Sequence, residues 1–491
     1  MHLRRALLTA AIPALLAGCT VGPNYAPPAS PVPAAFSAPF PALPDDAVAA
    51  WWRGFGDPEL ETLIARGLAG NLQVRQAAEP IAEARAQAGI VGAAALPVVQ
   101  ADAQASETRL SKTTSIGSIA SLLGGGGRAG STPAGLPGTA FSTFQAGFDA
   151  SWEIDLFGGV RRQVEAARAR TEAAEWSARD AEVMIAAEIA RSYLQYGALQ
   201  RRIGLADATI AARAEALDTN RVRARHGLTT TLDERRAERD VAAARAQRQD
   251  LVAQRDAQAH ALAVLVGEPP LALTQELAAA PAAPAAPAAI PAGLPSDLLR
   301  RRPDIRSAER KLAAATADQG AAVAQLYPTI SLTGAANLVS GSLANLVSTD
   351  SFQPTATAAI SWPILDGGRT RANIRLREAQ TREAALAYRA TVLGALKDVE
   401  DALSRLQADR ARAAELAAAE ASAADAVATA KVRADHGLTT ELDWLEARAT
   451  WLAADDARLT AEAAVSQDAV ALYKALGGGW DGRRIADTGG S

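Results

Sequence analysis

Val222-Arg-Ala-Arg-His-Gly-Leu-Thr-Thr-Thr-Leu-Asp233 returns as Val432-Arg-Ala-Asp-His-Gly-Leu-Thr-Thr-Glu-Leu-Asp443, 210 residues later, with ten of the twelve positions identical. Each copy has the grammar of a sharp reversal between two helices. A basic helical end is followed by His-Gly, then by Thr before a new apolar run. Glycine just past a helix end adopts the left-handed conformation without steric cost. Thr229 or Thr230, and Thr439 or Thr440, can then cap the next helix through a side-chain oxygen. One such turn is an ordinary helical hairpin. Two near-identical copies so far apart point to an internally duplicated chain.

Working outward, the flanking segments are long. From Val160 to about His226 the chain is dense in Ala, Arg, Glu and Gln and has no Pro. These roughly 66 residues span about 100 Å of helix at 1.5 Å per residue. The second copy starts at Arg369, just after Asp366-Gly367-Gly368, and reaches about His436, again without Pro. Shorter helices return, from about Thr230 to Val266 and from about Thr440 to Leu476. In the latter, Leu442, Leu445, Ala449, Leu452, Asp456, Leu459, Ala463, Ser466, Val470 and Tyr473 recur at heptad spacing, with Asp456 and Ser466 as lapses in the seam. Asn71 to Ala95 and Asp304 to Gln325 supply the missing helical length. The C-terminal helix must then meet the N-terminal one, so the two chain ends converge.

Beyond the helices the period changes to two. Val99, Ala101, Ala103 and Ala105 alternate with Gln100, Asp102, Gln104 and Ser106. Phe144, Ala146, Phe148, Ala150, Trp152, Ile154 and Leu156 form a second apolar set, Ile330 to Leu338 a third, and Ala356 to Ile364 a fourth. Such alternation puts one face on lipid or core and the other on water. The lengths suit transmembrane strands of about 9–11 residues. Trp152 and Trp362, also 210 residues apart, read as membrane-interface aromatics. A soluble antiparallel sheet is the alternative reading of the strands alone. Four strands cannot close a barrel, for which about eight are needed. Oligomerisation is therefore required, with two chains giving eight strands and three giving twelve. Ser115 to Thr139, rich in Gly, Ser and Pro, reads as a mobile extracellular loop. Its glycine run lacks the lysine of a phosphate-binding loop.

The chain opens with Arg4 and Arg5 and the short apolar run Ala6 to Leu16, the pattern of a secretory signal. Leu16-Ala-Gly-Cys19 resembles a bacterial lipobox, which implies a lipid on Cys19 and, with Thr20 following, sorting to the outer membrane. Cys19 is the only cysteine, so no internal disulfide can form. The formal net charge is −4, and −6 once Arg4 and Arg5 leave with the signal, so no basic footprint for nucleic acid exists. After the signal no apolar run suits a transmembrane helix, and any further crossing must use strands. The four histidines, His2, His226, His260 and His436, have no metal-ligand spacing. No nucleophile elbow is present either, so neither an enzyme nor a cofactor is expected beyond the lipid on Cys19.

Taken together, Leu16-Ala-Gly-Cys-Thr-Val-Gly-Pro-Asn-Tyr25, Trp51-Trp52 with Phe55-Gly-Asp-Pro58, Asp155-Leu-Phe-Gly-Gly159, Leu298-Leu-Arg-Arg-Arg-Pro-Asp-Ile305 and the two Gly-Leu-Thr-Thr turns resemble one family. It is that of the outer-membrane factors of bacterial tripartite efflux systems, TolC-like in architecture and closest to the NodT-type lipoproteins. The resemblance implies an α+β membrane protein. Three chains would form a twelve-stranded β-barrel, four strands each, continuous with a long α-helical periplasmic barrel, two repeats per chain. It implies a signal peptide over 1–18, a lipid-anchored extended tether over 19–50 and a first repeat over 51–266, with a β-hairpin at about 97–156 and its tip at 226–230. An equatorial linker covers 267–302. The second repeat covers 303–476, with a hairpin at about 328–366 and its tip at 436–440, and a tail covers 477–491.

The resemblance also implies partners and a task. A homotrimer in outer-membrane lipid would meet a periplasmic adaptor through tip residues Gly227, Leu228, Thr229, Gly437, Leu438 and Thr439. An inner-membrane pump, of the RND type, would drive passive export of drugs, metals or similar toxic compounds. Candidate pore-gate acids are Glu441, Asp443, Asp233, Glu234 and Asp435. Many relatives carry an acid where Thr439 stands here. Each of these acids also reads as an ordinary helix-start carboxylate complementing the helix dipole. The alternative to a channel is a non-transport periplasmic coiled-coil lipoprotein.

Overall fold

The computed structural model describes residues 20–29, 32–37, 48–109, 140–279, 284–288, 290 and 293–480. The signal, Cys19, the loop over Ser115–Thr139 and the tail beyond 480 lie outside these. The chain forms two units, one of Met1–Ala26, Ala84–Arg170 and Ala313–Glu383, the other of Pro27–Glu83, Thr171–Leu312 and Ala384–Ser491.

The first unit holds one antiparallel sheet of β1 (Val98–Arg109), β2 (Ala140–Ile154), β3 (Thr329–Ser340) and β4 (Phe352–Ser361), in the order β1-β2-β3-β4. Its register aligns the alternation of every strand. Val99, Ala150, Gly334 and Ala356 share one rung, and Ile154, Ile330 and Ile360 share another. On the opposite face Gln100 meets Asp149, Ser151 meets Thr333, and Thr333 meets Thr357. One face is thus mainly apolar across four strands, giving way to Glu107, Arg109, Ser142 and Ser340 at one end, and the other is mainly polar. The apolar face is open: Val99, Phe148 and Ile360 are more than half exposed. Among the described residues β1 and β4 each have one unpaired edge. Trp362 falls just past β4, which ends at Ser361, rather than inside a strand reaching Ile364.

Strand ends pass directly into helix. Asp155 accepts from the Arg161 backbone N–H at 2.8 Å at the start of α3 (Gly159–Arg225). Asp366 does the same for α8 (Arg369–Asp435), accepting from Gly368 N at 2.9 Å and Thr370 N at 2.8 Å. The Thr370 hydroxyl and amide hold the Asp366 carboxyl down at about 2. Both long helices have 67 residues, as a duplicated chain requires.

The segment after Cys19 was expected to be a tether. It is extended, but it is bolted down. Val21 N donates to Phe157 O at 3.2 Å. The Arg162 side chain, 4% exposed, donates to Val21 O at 3.3 Å and to Asn24 Oδ1 at 2.5 Å. Gly22, at φ +86°, lies so close to the helix carrying Gly320 that a Cβ there would sit 2.6 Å from Gly320 Cα. Tyr25 then packs on Ala169, Ala313 and Ala314.

The second unit buries the main core. It includes α1 (Pro58–Gly70), most of α3, α4 (Thr231–Val266), two short helices α5 (Thr274–Ala279) and α6 (Pro295–Arg301), the start of α7 (Pro303–Ala324), most of α8 and α9 (Glu441–Ala475). A further helix, α2 (Leu72–Ala93), is shared between the units. Leu60, Leu63 and Ile64 of α1 are fully buried. Asp57 caps α1 by accepting from Glu59 N and Leu60 N, and also accepts from the Tyr193 hydroxyl at 2.9 Å. Burial, then this bond, raises the Tyr193 pKa far above its ordinary value. Trp51 stacks on Tyr473 at 5.1 Å and Gly479 N donates to Val48 O, so the chain ends do converge. The heptad seam of α9 is real at Leu445, Leu452, Leu459, Ser466 and Tyr473, all buried. Its lapse at Asp456 is explained by Arg202 of α3, which grips that carboxylate at 2.7 and 3.0 Å.

Gly22→Val should release the clamp on the N-terminal segment, because both the left-handed φ and the close helix oppose a side chain. Limited proteolysis of the folded protein should cut within residues 20–29 several-fold faster, with Arg162→Ala giving the same direction. Unchanged cleavage would show that the segment is held elsewhere.

Candidate functional site

The two repeated turns are built alike to the level of single hydrogen bonds. At the first, Gly227 N donates to Ala224 O at 3.0 Å and Leu228 N to Arg223 O at 2.9 Å. At the second, Gly437 N donates to Ala434 O and Leu438 N to Arg433 O, both at 2.9 Å. This nested pair satisfies the orphan carbonyls of the helix end. It requires positive φ, +71° at Gly227 and +69° at Gly437. The next residue is then thrown outward: Leu228 is 69% and Leu438 71% exposed. Thr230 and Thr440 are the caps of α4 and α9.

Two of the five candidate gate acids have a structural task. Asp233 Oδ2 accepts from the hydroxyls of Thr229 and Thr230, both at 2.8 Å, and from Thr230 N at 3.4 Å. Asp443 Oδ2 accepts from Thr440 N and Thr440 Oγ1, both at 2.8 Å. Each closes a capping box. Hydrogen bonds from Thr229 and Thr230 hold Asp233 below the usual carboxylate range, and those from Thr440 do the same for Asp443. Arg223 of the first turn adds to the field on Asp443 of the second. Thr439, the counterpart of Thr229, leaves its buried hydroxyl without a partner.

The other three acids divide by copy. Glu234 pairs with Arg221 at 3.4 Å. Asp435 pairs with Lys431 at 2.8 Å, one turn away on its own helix. Asp435, supported by Glu441 and Glu215, holds the Lys431 ammonium above its usual range. Glu441, exposed, makes no side-chain hydrogen bond or ion pair among the described residues.

Sequence reading missed the partners that separate the copies. Arg221 reaches across its own hairpin to Glu234 and to Glu238, the latter at 3.0 Å. The matching positions in the second hairpin are Lys431, Trp444 and Arg448. There Lys431 lies 4.6 Å over the Trp444 ring, and Arg448 leaves its hairpin to pair with Glu215 of α3 at 3.1 Å. With Arg202–Asp456 and Arg201–Glu462, at 2.7 and 3.5 Å, these contacts tie α9 to α3 along its length. The 210-residue offset could have paired these positions, but not shown where Arg448 points.

In the sheet unit the two tryptophans are equivalent. Trp152 Nε1 donates to Ala95 O and Trp362 Nε1 to Leu326 O, each at 3.0 Å. Both acceptors lie two residues before a proline that precedes a strand, Pro97 or Pro328. Trp152 remains 38% and Trp362 59% exposed.

The sequence profile of a family described as "Outer membrane efflux protein" matches residues 63–268 and 294–478, one block per repeat. The chain belongs to that family. It is 32% identical to nodulation protein T of Rhizobium leguminosarum bv. viciae over 490 residues, covering 99% of this chain and 96% of the relative. It is 32% identical to the outer membrane protein OprJ of Pseudomonas aeruginosa, covering 95% and 94%. A solved structure of the outer-membrane channel OprN superposes with a TM-score of 0.82 at 32% identity, covering 94% of this chain and all of that one. The fold is that of the trimeric α+β outer-membrane channels. Each copy contributes its four strands to a twelve-stranded barrel, and a ring of copies removes the free edges of β1 and β4.

Thr440→Ala should remove both hydroxyl contacts of the second capping box and cost α9 about 1 kcal/mol at its first turn. Hydrogen exchange at the amides of residues 441–444 should quicken. In the parent protein the Asp443 contribution is complete above the unfolded carboxylate pKa. It fades as pH falls through the lowered folded value, so acid should loosen the same amides. Exchange insensitive to both changes would remove Asp443 from the cap.

Proposed function

We propose that this protein is the outer-membrane channel of a tripartite efflux system. It passively exports small toxic compounds, drugs, metals or similar, that an inner-membrane pump of the RND type delivers through a periplasmic adaptor. The observation that carries this reading is the sheet. Four strands with one mainly apolar and one mainly polar face, and two edges unpaired among the described residues, suit a water-filled pore wall in lipid. Efflux rather than simple porin behaviour is supported by the paired 67-residue helices, which porins have no use for.

The adaptor would meet the hairpin ends. Leu228 and Leu438, flanked by Gly227, Thr229, Gly437 and Thr439, offer matched apolar knobs on rigid Schellman turns. Three copies would present six of them. Cys19, whose lipid would be the only covalent addition, would anchor each copy in the outer membrane. Of the acids, Glu441 is the strongest candidate for a gate, because Asp233 and Asp443 are engaged in caps and Asp435 and Glu234 in ion pairs. Rings of carboxylate around a pore axis favour cations and resist close approach.

Deleting the gene should sensitise its host to the exported compounds, and the parent gene, but not one lacking residues 226–230 and 436–440, should restore resistance. Glu441→Gln should raise single-channel conductance in planar bilayers and weaken cation preference. Unchanged conductance would move the gate away from Glu441. Release from membranes by cleaving the lipid alone would overturn the channel itself.

A further inference from the structure

The apolar face of the sheet has a gap that its register explains. Successive rungs across β2, β3 and β4 read Phe148–Ala336–Pro354, Ala150–Gly334–Ala356 and Trp152–Leu332–Ala358. The middle rung has almost no side chain, whereas its neighbours carry Phe148 on one side and Trp152 with Leu332 on the other. A groove of about 510 Å³ results, bounded by Pro97, Trp152 and Leu332 and floored by Gly334, Ala356 and Ala358. A Cβ built on Gly334 would meet nothing closer than Thr355 O at 3.9 Å. The one polar atom of its largest wall, the indole N–H of Trp152, is already given to Ala95 O. Ser151, Thr333 and Thr357 also border the groove, but they alternate onto the other face of the sheet, so the surface offered is mainly apolar and suits an apolar occupant.

The path of the N-terminal segment brings such an occupant near. Tyr25 lies beside Ala169, Asn24 and Val21 are held by Arg162, and Val21 N reaches Phe157 O. Thr20 lies against Gly158. Going backward, the segment thus climbs α3 toward the foot of β2 as far as Thr20, the residue that follows Cys19. Phe157 is five residues from Trp152, at most about 17 Å of extended chain. One acyl chain spans a leaflet, about 15 Å or half of the hydrocarbon core.

We propose that one acyl chain of the lipid on Cys19 lies in this groove, across the Ala150–Gly334–Ala356 rung. The inference rests on the reading of Cys19 as acylated. Inside a bilayer the gain is not hydrophobic, since lipid tails are as apolar as the groove. It is packing: a straight chain supplies partner atoms to a wall that otherwise lacks them. The clamp on Thr20 to Tyr25 makes the placement reproducible, and the anchor becomes part of the folded sheet surface instead of a leash.

The test grows cells on a diazirine-bearing fatty acid, purifies the trimer, irradiates it and maps the linked peptides. The expected product joins the Cys19 lipid to peptides containing Trp152 or residues 329–361. Ala356→Trp, which fills the rung, should lower that yield several-fold while gel mobility of the trimer and the lipid mass on Cys19 stay unchanged. Links from acylated Cys19 scattered over the apolar face, and indifferent to Ala356→Trp, would overturn the groove. So would equal labelling of the groove in Cys19→Ser protein directed to the outer membrane by another signal, because free membrane lipid would then be the occupant. An N-terminal peptide without acyl mass would overturn the lipidation reading, and mass spectrometry separates that failure from the others.

Discussion

A backbone N–H or C=O facing hydrocarbon has no water to bond, and each such group left alone costs several kcal/mol. That constraint governs the chain. β1 and β4 leave a full edge each unpaired, and no further strand is available among the described residues to cover them. Only another copy can, with the β1 edge of one chain bonding to the β4 edge of the next. The contact is head-to-tail and must close on itself, or it would propagate as an open filament. Large apolar residues left exposed in the single chain before β1 and after β4 fit the same demand. Ile90 and Leu96 precede β1 and Leu376 follows β4, each more than half exposed in the single chain.

Duplication then does the rest of the construction. Two helices of equal length, two Schellman turns and two capping boxes allow six hairpins of nearly one kind to stand in a ring of three chains. The exceptions to the symmetry carry the information. Arg225 and Thr231 of the first copy become Asp435 and Glu441 in the second, and Glu234 and Glu238 become Trp444 and Arg448. In the first hairpin a cation spans the two helices and locks the hairpin to itself. In the second, the cation is satisfied along its own helix by Asp435, and Arg448 binds the first hairpin.

Much of the fold was legible in the residues. Strand pairing followed from period two, and the turns followed from Gly, Thr and Asp at fixed offsets, because those signals are local. Less was legible where the decisive partner lay far along the chain. Asp456 looked like a flaw in a heptad seam, and only the arrival of Arg202, 254 residues away, makes it a link. The tether after Cys19 looked free because its own residues say nothing about Arg162, which donates to Val21 O and Asn24 Oδ1 from the start of α3. The candidate gate was the least legible part. An acid three residues after a Thr cap serves the helix first, and composition cannot say whether any charge is left for a pore.

An acid in a capping box is pinned by two or more donors and keeps its charge over a wide pH range, so it is a poor element to move or titrate. Glu441 sits two residues earlier, exposed and free of such bonds, yet it adds to the field on Lys431. Displacing the second hairpin from α3 would break Glu215–Arg448, a solvent-exposed pair of the kind that contributes little on its own. The caps and turns would travel intact. The design therefore separates rigidity from restraint. Rigidity lies in backbone-level bonds inside each hairpin, and restraint between hairpins is graded, from the exposed Glu215–Arg448 pair to the two-point Arg202–Asp456 link further along α9.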